Sequence, residues 1–235
     1  MTETRRRLIR PTALTLLAIA AGVAAIAVSA VFLMARYRSL PDLLPVRFGQ
    51  NGLPNRWQYR TYARVLLPVF VQIALTLTLG SIGALLLSRP HGDHDDQAPE
   101  VKAASTAAEG VALITLVWVL FQAYAAVALA GMWQRERAGL GAYSYLEFAG
   151  IALTIVIAAR TNRRLGRPTP RPFVAAHWRL GQLYRNPTDP ALFVPTRDGT
   201  RWTLNFGRPV AAALLGLILG IGIVGPTIIL GLLLR

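Results

Sequence analysis

The sequence predicts an all-α membrane fold, a polytopic helical bundle of about five transmembrane helices carrying a small cytoplasmic helix-plus-β-hairpin unit. Three observations predict it. The chain is 54% hydrophobic and only 15% charged, with a mean hydropathy of +0.43, whereas soluble domains carry fewer apolar residues and more charge. Its apolar runs reach the length of about 20 residues that a helix needs to cross hydrocarbon. The net charge of +14 is gathered at the ends of those runs, where basic residues orient membrane proteins. A nucleic-acid binder needs a continuous basic face instead, so direct nucleic-acid binding is not expected. There is no cysteine, which removes disulfides, thiolate metal sites and cysteine nucleophiles together.

Taken in order, residues 1–10 form a cytoplasmic tail with Arg5, Arg6, Arg7 and Arg10. An N-terminal two-span domain follows over 11–88. Its first span runs from Pro11 to about Ala35, longer than a signal-peptide core, with Ala18, Gly22 and Ala25 forming a small-residue face for a neighbouring helix. Residues 36–62 are a polar, turn-rich loop, and the second span runs from about Ala63 to Ser88 with Pro68 and Gln72 inside it. Residues 89–109, with His91, Asp93, His94, Asp95, Asp96 and Glu100, read as a flexible cytoplasmic loop. The third span covers about 110–133, beginning beside Glu109 and carrying Gln122 and Tyr124. The fourth covers about 142–159, with Ser144 and Glu147 in its first turns. A basic linker (Arg160, Arg163, Arg164, Arg167, Arg171, stiffened by Pro168, Pro170 and Pro172) opens the cytoplasmic module of 160–208. The fifth span occupies 209–235, with Gly216-x-x-x-Gly220 and a Gly225-Pro226 break.

Counting basic residues orients the bundle. With the N-terminus inside, 16 basic residues lie on the cytoplasmic side and 9 on the other, which favours a cytoplasmic N-terminus and a cytoplasmic module. The expected location is a bacterial cytoplasmic membrane, crossed several times.

The module is the longest stretch with the residue mix of a water-exposed unit. Two apolar runs, Ala191–Pro195 and Trp202–Phe206, flank Asp198-Gly199, and Asp-Gly between β-rich runs signals a hairpin because glycine accepts positive φ cheaply. Asn186-Pro187-Thr188-Asp189-Pro190 reads as a rigid turn, since two prolines fix φ and remove two donors. Pro172–Leu183 is expected to form one short helix. So small a unit holds little core by itself and should lean on the membrane or on the other connecting segments.

Residues 40–57, LPDLLPVRFGQNGLPNRW, resemble the motif of a membrane domain found at the N-terminus of SdpI-type bacterial immunity and signalling proteins. Leu40, Pro41, Pro45, Phe48, Gly52, Pro54 and Trp57 sit at that family's positions. Arg47 stands where the family has histidine, and Asn55 where it has aspartate. These departures argue against metal binding or proton movement at the motif. Residues 178–208 are similar to a second uncharacterised module often joined to the first, matched by Trp178, Gly181, Tyr184, Asn186-Pro187-x-Asp189-Pro190, Phe193-Val194-Pro195 and Trp202 through Pro209. The resemblance implies an integral membrane protein of sensing or immunity type, some of which recruit a transcriptional repressor to the membrane.

Each candidate has a plainer reading beside it. In the first loop, Asp42, Arg47, Asn51, Asn55 and Trp57 form either an extracytoplasmic receptor surface anchored by Trp57 or a proline-braced loop whose Trp57, Tyr59 and Tyr62 mark the interfacial aromatic belt. Arg47 facing Asp42 would be an exposed pair worth little. His91, His94 and the nearby aspartates carry donor types that suit zinc, nickel or manganese, but the segment is unframed, and no metal or other cofactor is expected. Glu109 and Glu147 are acids near span ends, expected to reach water at the interface, Glu147 also within reach of Arg135 or Arg137. Gln72 and Gln122 are expected to join helices. The arginines of 160–171 suit either a regulator's acidic surface or anionic lipid. In the module, Trp178, Tyr184, Asn186, Asp189, Phe193, Trp202 and Asn205 are the expected partner surface, with the Asn186–Pro190 turn setting the geometry of the aromatics; the plainer reading is that the aromatics are simply the unit's core. No Gly-x-Ser-x-Gly, His-Glu-x-x-His or P-loop pattern is present, and no enzymatic activity is expected. The expected role couples an extracytoplasmic or intramembrane signal to a cytoplasmic protein partner. The alternatives are a small transporter or export-complex subunit, or a structural membrane partner.

Overall fold

The computed structural model describes residues 7–216 apart from 50, 89, 92–98, 138, 140, 166–167, 169–171, 190 and 214. In chain order the elements are β1 (Arg7–Leu8), α1 (Ala13–Arg36), a 3-10 turn (Tyr37–Ser39), β2 (Leu43–Phe48), β3 (Pro54–Tyr59), α2 (Tyr62–Val65), α3 (Leu67–Leu87), β4 (Pro90–His91), α4 (Pro99–Arg135) and α5 (Tyr143–Leu165). A second 3-10 turn (Ala175–His177) precedes four short strands, β5 (Trp178–Arg179), β6 (Leu183–Tyr184), β7 (Phe193–Pro195) and β8 (Trp202–Leu204). Helix resumes at residue 209.

Among the described residues four helices, not five, are long and apolar enough to cross a membrane. Mean hydropathy over the best window is 2.6 in Ala13–Ser39, 2.0 in Leu67–Leu87 and 2.1 in Val101–Arg135, but 1.3 in Tyr143–Leu165, so the run richest in polar residues is the weakest of the set. The fifth expected span, with Gly220 and Gly225-Pro226, falls largely outside the described residues. The helices carry large apolar side chains on their open faces: Val31 is 69% exposed, Leu77 66% and Phe148 70%. Apolar surface on that scale marks contact with a partner or lipid.

The chain divides into two compact units. One comprises Ala13–Gly80 and Gly110–Ala159. Its core gathers Leu33, Leu40, Leu44, Val65, Val69, Ala126, Ala130, Met132 and Trp133. The buried face of α1 is Thr15, Ala18, Gly22, Ser29 and Leu33, the three-and-four spacing of one helical stripe. Ala18 and Gly22 of the expected small-residue face lie on this stripe, whereas Ala25 is half-buried, and a Cβ built on Gly22 would meet no heavy atom within 4 Å. Gln72 joins helices as expected: it is fully buried, and its Nε2 donates to Ser29 Oγ at 3.2 Å and to the Val119 carbonyl at 3.0 Å. Gln72 Oε1 and Thr76 Oγ1 have no protein partner.

The first loop is more ordered than its turn-rich composition implies. β2 and β3 form an antiparallel hairpin pairing Leu43 with Tyr59, Pro45 with Trp57 and Phe48 with Pro54, with register shifts on either side of Arg47. Proline supplies no ladder donor, so irregular pairing is the expected response to Pro45 and Pro54 in short strands.

The other unit comprises Met1–Thr12, Ser81–Glu109 and Arg160–Arg235. β1 pairs with β4, Arg7 opposite His91 and Leu8 opposite Pro90, and Ile9 N–H donates to the Leu87 carbonyl at 3.1 Å. Three expectations fail in this unit. Residues 99–109 are not loop but the first turns of α4. Pro99 suits a first turn, where its missing N–H is no loss, and Ala103, Ala104, Ala107 and Ala108 are strong helix formers. Arg160, Arg163 and Arg164 are not linker but the last turns of α5, where cations complement the helix dipole. Pro172–Leu183 is not a helix; it holds the 3-10 turn and the β5–β6 hairpin, whose apex has Leu180 at φ 51° and Gly181 at φ 73°.

Candidate functional site: a hairpin module seated on α4

The 37-residue α4 is about 55 Å long, nearly twice the hydrocarbon thickness of about 30 Å. Its first turns bury Val101, Ala103, Ala104, Ala108 and Glu109. Val101 and Ala104 meet Ile9, and Leu87 and Phe193 pack against this cluster. Phe193 belongs to β7, so the module leans on the helix end through one aromatic side chain.

A few residues further along α4, the Glu109 carboxylate is 4% exposed. It is ion-paired to Arg164, and Arg160 stands 3.6 Å from the same oxygen. Thr12 Oγ donates to its second oxygen at 2.8 Å. Arg160 and Arg164 lie one helical turn apart, which puts both on one face of α5. The expectation that Glu109 reaches water at an interface is therefore overturned. Desolvation of the carboxylate is offset by two guanidinium groups and a hydroxyl. Glu147 is exposed, in keeping with its expected place near a helix end.

Within the module the central residue is Asn205, fully buried. Its Oδ1 accepts from the N–H groups of Asn186 (3.0 Å) and Gly207 (2.9 Å). Its Nδ2 faces the carbonyls of Asn186 (2.8 Å), Ala191 (3.1 Å) and Asp189 (3.2 Å). One amide thus closes the proline turn on the strand that follows it. Asn186 Oδ1 accepts from Thr188 N–H at 3.1 Å and Asp189 Oδ1 from Ala191 N–H at 2.8 Å, two Asx turns in succession. Tyr184 Oη donates to Asp189 Oδ2 at 3.2 Å. A Cβ on Gly207 would stand 2.4 Å from the Asn186 carbonyl carbon, so this position requires glycine for space.

β7 and β8 pair as the Asp-Gly signal foretells, Phe193 with Leu204 and Pro195 with Trp202. Their connection is longer than two residues: Thr196 N–H bonds the Arg201 carbonyl at 2.8 Å, with Gly199 at φ 67° inside. Asp198 accepts from the hydroxyls of Thr196 and Thr200. These hydrogen bonds hold its carboxyl down from the ordinary 3.8 to about 2.

The residues expected to present one partner surface fall into four groups. Trp178 and Tyr184 meet edge to face at 5.4 Å and, with Phe173, His177, Pro195 and Arg197, line a cleft of about 260 Å³. Arg197 lies over the Phe173 ring at 4.8 Å. Asn186, Asp189 and Asn205 are the internal scaffold behind the turn, and Phe193 seats the module on α4. Trp202 is half-buried on β8.

The 40–57 motif divides likewise. Pro45 is buried, Phe48 packs against the core, and Gly52 takes φ 72° in the hairpin tip. Pro54 is half-buried, while Arg47, Asn55 and Trp57 are exposed. Asp42 pairs with Arg60 at 2.9 Å, not with Arg47; Arg47 lies opposite Arg56. Arg60 escaped the sequence reading. It also donates to the Tyr37 carbonyl at 2.9 Å and to that of Leu40, and stands over the Tyr37 ring at 4.8 Å. Its one advance signal is position, a lone arginine between a strand and a helix N-cap.

No group of three or more metal-ligating side chains occurs among the described residues; His94 and Asp93, Asp95 and Asp96 lie outside them. In comparison with known proteins, residues 187–211 match a family of unknown function, DUF5808. The match covers the turn from Pro187 onward, both strands β7 and β8, and Asn205–Gly207. No curated protein and no solved structure matches the chain.

Proposed function

We propose that the chain is an integral membrane protein that couples an event in its apolar bundle, or at its outer hairpin, to the surface its module offers a cytoplasmic protein. The observation that carries this reading is the seating of Phe193 on the first turns of α4, one continuous helix that runs on through the apolar window. A shift or rotation of that helix moves the seat, and the Glu109 clamp ties it to the end of α5. In this reading the N-terminus and module are cytoplasmic, residues 209–235 supply a fifth span, and the membrane is a bacterial cytoplasmic one. The partner is a protein, such as a repressor held at the membrane, that engages the Phe173–Trp178–Tyr184 cleft. The likeness of 40–57 to SdpI-type proteins supports a sensing or immunity role; Arg47 and Asn55, where that family has histidine and aspartate, argue against metal or proton chemistry there. No catalysis or cofactor is proposed.

The test is affinity capture from detergent extracts with the full chain and its Trp178→Ala and Phe193→Ala variants. A partner held by the parent, lost with Trp178→Ala and weakened with Phe193→Ala supports coupling. Identical capture by all three overturns it.

A further inference from the structure

We propose that the β5–β6 hairpin is a lipid-docking element that seats the module on an anionic bilayer surface, Leu180 entering the interface and nearby arginines meeting phosphate. The inference rests on the membrane reading of the four long helices and adds a second partner for the module. Two residues other than glycine have positive φ among the described residues, Glu136 and Leu180. Glu136 directly follows α4, where a left-handed residue commonly ends a helix. Leu180 is at a hairpin apex, where both central residues of the turn need positive φ and Asn-Gly or Gly-Gly is the relaxed choice. A bulky side chain there strains the backbone, and at 92% exposure Leu180 gains no burial in return. Strain held without a folding benefit points to use of the side chain elsewhere.

The surroundings define the partner. Arg179 and Leu183 are cross-strand neighbours, so they share the hairpin face opposite Trp178 and Tyr184; Leu183 is also exposed. Beside the apex a polar hollow of about 780 Å³ is lined by Gly181, Gln182, Arg197, Asp198 and Arg201. Two threonine hydroxyls keep Asp198 charged, and Arg179, Arg197 and Arg201 outnumber that one negative charge around the apex. A leucine tip next to guanidinium groups is the arrangement of an interfacial anchor, apolar contact in the acyl boundary and cations among the headgroups. The tether also favours lipid. Only residues 166–171 separate the end of α5 from Pro172, at most about 25 Å of chain, and helix resumes at 209.

Because the chain lacks cysteine, Leu180→Cys in the full protein takes a single environment-sensitive fluorophore, and Thr188→Cys serves as the reference. Both are placed in nanodiscs of phosphatidylcholine with or without phosphatidylglycerol and with spin-labelled acyl chains. The proposal expects blue-shifted emission at 180 in the anionic discs, several-fold stronger acyl-chain quenching than at 188, and loss of most of that quenching in the Arg197→Gln/Arg201→Gln background. Water-like emission at 180 in anionic discs overturns it. So does a blue shift without acyl-chain quenching, which marks a protein surface or second copy as the occupant. A chain that enters discs yet shows either result leaves the membrane reading intact. A chain monodisperse without detergent or discs removes both.

Discussion

Arg164 on α5 is ion-paired to Glu109 on α4, and Thr12 closes the other carboxylate oxygen at 2.8 Å. The two partners differ in exposure: Glu109 is nearly buried, whereas the Arg164 side chain is 48% exposed. Removing the buried member leaves cations facing a desolvated site, so Glu109→Gln should destabilise the protein by about 1–3 kcal/mol. Arg164→Gln, which removes a half-solvated charge still backed by Arg160, should cost about 1 kcal/mol or less. Denaturant unfolding of the single and double variants checks the coupling. Strict additivity would show that the pair contributes nothing as a pair.

Asn205 and Gly207 set the module's stability. Asn205→Ala strands the Asn186 and Gly207 N–H groups together with carbonyls of the turn, a loss of about 2 kcal/mol or more. Gly207→Ala forces a Cβ into the Asn186 backbone and should cost at least as much, by strain. Gly22→Ala, in open space within α1, should instead be neutral or stabilising by about 0.5–1 kcal/mol. Hydrogen exchange over 184–207 reads the first two changes, and thermal melting in detergent reads the third.

Asp198 should titrate near 2, because hydrogen bonds from Thr196 and Thr200 favour its charged form. A depressed carboxyl stabilises the loop fully above its ordinary value of 3.8 and loses that contribution as pH falls through about 2. Carboxyl carbon chemical shifts followed by NMR give the midpoint directly. Thr196→Val should move it upward, and Thr196→Val/Thr200→Val further still.

Arg60 holds the β2–β3 hairpin to the end of α1 through the carbonyls of Tyr37 and Leu40 and the Asp42 carboxylate. A planar fork reaches these acceptors together, whereas an ammonium does not reproduce the geometry. Arg60→Lys should therefore behave much like Arg60→Ala, each raising protease sensitivity within 43–59, while Arg47→Ala leaves it unchanged. Rescue by lysine would show that charge alone suffices.

The helices and the β7–β8 hairpin were legible because each rests on a local signal: long apolar runs, and Asp-Gly between β-rich segments. The weakest apolar run, 142–159, proved a full helix because its basic tail is helical too. What misled the reading was composition standing in for structure. Polar residues around 99–109 concealed three alanines and a valine that pack, and Pro172 concealed a hairpin whose leucine apex carries no conventional turn signal. The Glu109 clamp was illegible because Thr12, Glu109, Arg160 and Arg164 are remote in sequence and meet only through packing. Likewise, Asn205 reads as one polar residue in a strand until the turn it closes is folded around it.

The most direct test of the membrane account is impermeant thiol labelling of single-cysteine variants in intact bacterial cells. Asn55→Cys reports the outer hairpin and Thr200→Cys the module, both exposed and free of competition from native cysteine. The account predicts that position 55 labels in intact cells and position 200 only after permeabilisation. Labelling of position 200 from outside intact cells, or of both positions from the same side, would contradict it.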